Sequence, residues 1–251
     1  MSFTFYGDLL GISSLYKLSA AVAHKKLNEF YNTTFFSLDD NWVRNNNVRT
    51  MMLSDSLLIT GSASAESALE QLLLVYIKFL HKGLLLRGAI VSGELNFEAR
   101  ITRENFQKFL PQDDTLARAA GLEGTQKGAR LLIEPALATS VLESEHDWLT
   151  QDGYVTNVQG RSHPPYESVL RRICPTPDGN CYELLYFWAC SQELNHHATD
   201  YRRKRDELRE IKKMMKEDLG AHYKETIDLL SRCESRHSFT DKYFGVERPV
   251  D

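Results

Sequence analysis

The stretch Phe5–Leu15, FYGDLLGISSL, decides how the rest of the chain is read. Residues 3–7 form a short apolar and aromatic run that predicts a strand. Asp8 closes that run, Gly11 follows three residues later, and a helix-spaced apolar pattern starts behind it. From Ser13 to Tyr31 the positions Leu15, Leu18, Val22, Leu27 and Phe30 predict one amphipathic helix. Asp8 therefore admits two readings. It caps that helix, or it is the first oxygen ligand of a metal–nucleotide site, with the free amides of Gly11, Ile12 and Ser13 cradling phosphate.

Outward from this stretch, NVRTMMLSDSLLIT predicts two strands joined at Leu53–Ser56, with Asp55 at or beside the turn. The next segment, SAESALEQLLLVYIKFLHKG, predicts a helix capped by Ser64, filled by Ser67–Leu80 and stopped by Gly83. LLLRGAIVSGEL then predicts a central strand in which Gly88 and Gly93 mark close backbone approach or a bulge. Further elements are expected at Thr115–Glu123 (helix), ARLLIE (strand), Pro135–Glu143 (helix) and CYELLYFWAC (strand). The stretch from Asp152 to Pro177 carries no clear pattern. From Thr199 to Cys233 a charged helix shows an apolar stripe at Leu208, Ile211, Met215, Leu219, Tyr223, Ile227 and Leu230, suited to core or dimer packing.

A chain of 251 residues, 42% hydrophobic and 25% charged, has the composition of a globular protein with a sizeable core. Its net charge of −4 speaks against a mainly electrostatic nucleic-acid binder. Neither a membrane-length apolar run nor a signal-peptide pattern is present, so a cytoplasmic protein without membrane insertion is expected. Cys174, Cys181, Cys190 and Cys233 fit no zinc spacing, and packed or idle thiols are the expected reading. Cys190 with His196 and His197 is the one metal-like cluster in the sequence.

If the first strand lies beside the hairpin, Asp8 and Asp55 emerge at one sheet edge. Two close carboxylates repel at neutral pH and call for cations between them. Paired Mg²⁺ or Mn²⁺ ions about 3.5–4 Å apart meet that need and clamp the oxygens of a phosphoryl displacement. A strand-end Asp is also an ordinary helix cap, and a hairpin Asp is also ordinary turn chemistry.

On these residues the chain resembles the class III nucleotide cyclases. FYGDLLGISSL is similar to the family signature F-x-D-[IL]-x-G-[FI]-[ST]-x-L, LSDSLLIT resembles its second-aspartate hairpin, and LLRGAIVSGEL its following strand. DDTLARAAGLEGTQKGARLLIE is similar to the family's later helix and strand, so that the resemblance spans residues 3–145. Within the family, GDLLGIS, LSDS, RGAIVSG, AAGLE and ARLLIE look most like the bacterial antiphage pyrimidine cyclases of Pycsar systems.

The resemblance implies an α+β fold, a ferredoxin-like palm over residues 1–195, followed by a C-terminal helical extension at 196–251 for docking or dimerisation. It implies UTP or CTP as substrate, cyclic UMP or CMP and pyrophosphate as products, and a second messenger read by a separate effector protein. Two Mg²⁺ or Mn²⁺ ions would be held by Asp8, Asp55 and the Leu9 carbonyl, in a homodimer with active sites at the interface. Gly11, Ile12, Ser13, Met51 and Arg87 are the implied substrate contacts. The family's ribose-orienting Asn and transition-state Arg align with Ala117 and Gly121, so Arg118 is the candidate replacement cation, with Arg87, Arg100 and Arg103 as further candidates. Its base-reading Lys aligns with Met51, and the acidic partner maps near Leu110. These departures leave open a degenerate binder of the same fold, beside another palm-domain enzyme or an interaction scaffold.

Overall fold

The structure, a computed structural model, describes residues 1–98, 110–143, 155–156, 162–163, 173–186, 222 and 224–230. Arg100, Arg103, Cys190, His196, His197 and Cys233 lie outside the described residues, as does most of the expected helix at 199–233.

The first half follows the order β1 (Ser2–Leu9), α1 (Ile12–Leu18), α2 (Ala20–Phe35), α3 (Asp40–Asn45), β2 (Arg49–Leu53), β3 (Ser56–Ser62), α4 (Ala65–His81), β4 (Leu86–Ser92). β1 lies between β3 and β4, antiparallel to both, and β2 pairs with β3 at the edge. The arrangement β2-β3-β1-β4 is the βαββαβ pattern of a ferredoxin-like α+β fold. Past β4 come α5 (Thr115–Glu123), β5 (Leu131–Ile133), α6 (Pro135–Glu143), the short pair β6 (Val155–Thr156) and β7 (Ser162–His163), then β8 (Ile173–Pro175) and β9 (Tyr182–Leu184). β5, parallel to β4, with β9 and β8, extends the sheet to seven strands.

Strand alternation separates two faces. Phe3, Phe5 and Leu9 of β1, Leu57 and Ile59 of β3, and Leu86 and Ile90 of β4 are buried beneath α2 and α4, with Leu69, Leu72, Tyr76 and Phe79 packed on them. α5 covers β1 and β4 from the other side, where Ala89, Leu132 and Cys181 form a small second cluster with Leu122. Gly7 and Gly88 face each other across β1 and β4, and the Phe5 ring lies over both. A Cβ on Gly88 would stand 2.5 Å from that ring and 2.8 Å from the Tyr6 carbonyl, which is the close approach expected of this position.

One expected helix is two. The single helix read over Ser13–Tyr31 breaks at Ser19, whose backbone is extended (φ −166°, ψ 122°) and whose hydroxyl accepts the Val22 amide to cap α2. The apolar stripe there is only partly a core stripe: Leu18 and Val22 are exposed, and burial begins at Ala23, Leu27 and Phe30. Ser64 caps α4 by accepting the Ser67 amide, and Gly83 ends that helix at φ 62°, as the sequence implies. Cys174 and Cys181 are both buried.

The described part of the expected C-terminal extension packs into the domain's own core. Residues 224–230 are helical. Leu229 and Leu230 are buried with the residues beneath α4, and Thr226 accepts the Ala129 amide. Gly128, at φ 93°, lets that helix come close, for a Cβ there would lie 3.0 Å from the Glu225 and Thr226 backbone.

Candidate functional site at the sheet edge

β1 runs one residue past Asp8, so this aspartate is the penultimate residue of a paired strand, opposite Ser56 on one side and Arg87 on the other. Directly opposed residues share a face. Ser56, Asp8 and Arg87 thus form a row on the α5 side of the sheet. The Ser56 hydroxyl donates to Asp8 Oδ1 at 2.5 Å, and the Tyr6 hydroxyl, two residues back on the same face, donates to the same oxygen at 3.0 Å. Oδ2 has no hydrogen-bond partner among the described residues. Helix capping is not the role of Asp8: the N-cap of α1 is Gly11, in the left-handed region at φ 87°, with no side-chain cap bond.

Asp55 is the second residue of a two-residue turn, Ser54–Asp55, between β2 and β3. Its backbone carbonyl accepts the Leu9 amide at 2.8 Å, which fastens the turn to the end of β1. The two aspartates therefore flank Leu9 at one edge. Because amide and carbonyl of an extended residue point the same way, the Leu9 carbonyl also faces the hairpin. Two carboxylates and a carbonyl are hard oxygen donors of the kind Mg²⁺ and Mn²⁺ take, and the free Oδ2 of Asp8 leaves a donor available. Among the described residues no group of three or more His, Cys, Asp and Glu is arranged as a metal cage, so water and ligand oxygens would have to complete any coordination shell.

Arg87 pairs through Nε with Glu123 at the end of α5, and its terminal nitrogens have no partner among the described residues. Burial raises the Glu123 carboxyl above its ordinary value and Asp8 adds to this, while Arg87 opposes them. Burial also lowers the His222 imidazole below its ordinary value, assisted by the charges of Arg87 and Lys127. Met51, half-buried on β2, sits opposite Leu58, which sits opposite Tyr6; this row lies one pleat inward from Asp8. Beyond the turn, Ile12 is buried and Ser13 exposed.

Arg118 is not brought to this edge within one chain. It pairs with Glu134 and Asp114 and donates to the Ser92 carbonyl at 2.8 Å, at the far end of β4. From Arg87 to Ser92 the strand advances roughly 16 Å. Ala117 and Gly121 lie on α5 beside it, and Leu110 is 46% exposed. Tyr6, Ser56 and Glu123 were not singled out in the sequence. The signal for Tyr6 was its spacing of two from Asp8; for Ser56 it was the hairpin register.

No protein-family model matches the chain, and no curated protein does. Among solved structures it is similar to the adenylyl cyclase CyaB from P. aeruginosa (14% identity, 73% of this chain and 92% of that one, TM-score 0.45). It is also similar to adenylate cyclases from Trypanosoma brucei in their monomeric state (12%, 74% and 89%, 0.46) and to the guanylyl cyclase Cya2 (17%, 65% and 87%, 0.40). Among the described residues no helix is long and apolar enough to cross a membrane.

Proposed function

We propose that this chain is a nucleotide cyclase acting on a pyrimidine nucleoside triphosphate, UTP or CTP. The ribose 3′-hydroxyl attacks the α-phosphate, pyrophosphate leaves, and a 3′,5′-cyclic monophosphate forms. The observation that carries the reading is the stitching of the Asp55 turn to the end of β1, which brings the backbones of the two aspartates to one edge of a ferredoxin-like sheet. The sequence blocks around both aspartates, similar to those of class III cyclases, supply the reaction.

In this reading Asp8, Asp55 and the Leu9 carbonyl hold two divalent cations, Mg²⁺ or Mn²⁺, which act as Lewis acids on the phosphates. Arg87 is the cation the chain itself sets beside Asp8, and Glu123 orients its guanidinium so that the free terminal nitrogens meet phosphate oxygens. The turn at Gly11 carries the chain past the phosphates at Ile12 and Ser13. The Met51 row offers an apolar floor for a small base. A homodimer completes the site, and Arg118 contributes only from the second subunit, once released from Glu134. The product serves as a second messenger in antiphage defence, read by a separate effector protein.

The test is incubation of the purified protein with each of ATP, GTP, CTP and UTP, with Mn²⁺ or Mg²⁺, and product identification by mass spectrometry. A cyclic pyrimidine monophosphate that is lost in Asp8→Asn and Asp55→Asn is the expected result; a purine product would overturn the base assignment alone. A second reading, a nucleotide-binding protein of this fold without turnover, is favoured by the engagement of Arg118 with Glu134 and Ser92. Its signature is nucleotide binding dependent on Asp8 with no product from any triphosphate.

A further inference from the structure

Asp8 and Asp55 are not equivalent. Asp55 sits on a turn whose first residue, Ser54, is in the left-handed region at φ 56°. Asp8 sits inside a strand paired on both sides, and one of its two oxygens is already taken. Tyr6 and Ser56 reach Oδ1 from different strands, one along β1 and one across from β3. A carboxylate has about four lone-pair sites, and two converging hydroxyl donors occupy one oxygen while fixing the plane of the group. The other oxygen is left without a partner among the described residues. The guanidinium of Arg87 stands in the adjacent register position but is bound through Nε to Glu123, not to Asp8.

We propose that Tyr6 and Ser56 are positioning residues that commit Oδ1 of Asp8 to the protein and present Oδ2 to a divalent cation, so that the Asp8 site is preformed before nucleotide arrives. The inference rests on the cyclase reading insofar as Asp8 is a cation ligand. It goes beyond it by assigning the ligating oxygen and the two hydroxyls that select it. Partners in the outer shell of a metal ligand commonly set affinity by ten- to a hundredfold. Each hydroxyl is removable with little change of shape, as Tyr6→Phe and Ser56→Ala, and Ser56→Thr keeps the donor.

The experiment is a Mn²⁺ titration followed by electron paramagnetic resonance, without nucleotide, on the full chain and on Tyr6→Phe, Ser56→Ala, Ser56→Thr and Asp8→Asn. Thermal unfolding of each variant runs alongside. The wild type should bind Mn²⁺ and Asp8→Asn should not. Tyr6→Phe and Ser56→Ala should each weaken binding roughly tenfold, and Ser56→Thr should stay within about twofold of wild type. A change in melting temperature alone would not move these numbers, since affinity is read on folded protein. Unchanged Mn²⁺ affinity in both hydroxyl deletions, with binding still lost in Asp8→Asn, overturns the inference and leaves the cyclase reading standing. Mn²⁺ binding that ignores Asp8, or no binding until nucleotide is added, overturns the preformed site. Turnover in the nucleotide assay then decides separately whether the cyclase reading survives.

Discussion

Arg87 and Glu123 show at the scale of single residues how the site and the fold depend on the same charges. Glu123 is only 6% exposed in its side chain, and Arg87 is its sole ion-pair partner among the described residues. Removing the cation from a buried pair commonly costs about 3–5 kcal/mol, because the remaining charge stays out of water. Arg87→Ala should therefore lower stability by about 3 kcal/mol in urea unfolding, whatever it does to activity. Arg87→Ala with Glu123→Gln should recover most of that stability without recovering turnover, which separates the two roles. Glu134, at the opposite end of β4, makes a pH prediction. Burial raises its carboxyl, but the Ser92 amide and hydroxyl and the Arg118 guanidinium together outweigh this and hold it below its ordinary 4.5. A depressed folded value means stability that is present above about pH 4.5 and is lost as pH falls through the depressed value. Glu134→Gln should flatten the acid limb of a stability–pH curve below about pH 4.5; an unchanged limb would show that other carboxylates govern it.

Elements explain why some of this architecture was legible in the sequence and some was not. The hairpin was legible because its turn is local chemistry between two short apolar runs, and the register follows from the two-residue turn Ser54–Asp55. α4 was legible because Ser64 and Gly83 mark both ends. The break between α1 and α2 was not, since Leu18 and Val22 continue an apolar pattern yet face solvent. Nor was the Tyr6–Ser56–Asp8 cluster legible, because it exists only once β1 and β3 are paired. Arg118 stood out by adjacency to an aligned position, but α5 runs along the sheet and carries it to the other end. Within β1 and β4, the glycine pair makes its own prediction. Gly88→Ala would place a methyl against both the Phe5 ring and the Tyr6 carbonyl. Moving the ring relieves only the first clash, so the variant should lose about 1–3 kcal/mol by thermal or urea unfolding. Because Gly88 adjoins Arg87, it should also disturb the Asp8 row more than a core substitution beneath α4.

At the scale of the molecule, the last described helix is tied to the sheet by a charge network centred on a buried arginine. Arg130 is 1% exposed and donates to Glu183, itself 0% exposed, and to Glu225 on the C-terminal segment. Burial lowers the Arg130 guanidinium and its two carboxylate partners more than restore it, so it stays charged. Thr226 joins the same contact twice, accepting the Ala129 amide and donating to the His222 carbonyl. Arg130, just before β5, thus links residues 222–230 to β4, for its carbonyl accepts the Gly88 amide, next in sequence to Arg87. Thr226→Val keeps the volume of the side chain but leaves the buried Ala129 amide without its acceptor, a loss of about 1–3 kcal/mol. If the C-terminal segment only decorates the fold, that loss should be confined to the segment, and hydrogen exchange should speed up there alone. The shared core argues otherwise: Leu229 and Leu230 are packed with Tyr186 and the residues beneath α4, so the protein should unfold as one unit. Protection should then fall together in 224–230, β5 and β4, and a C-terminal segment that opens while β5 keeps its protection would show two independent units instead.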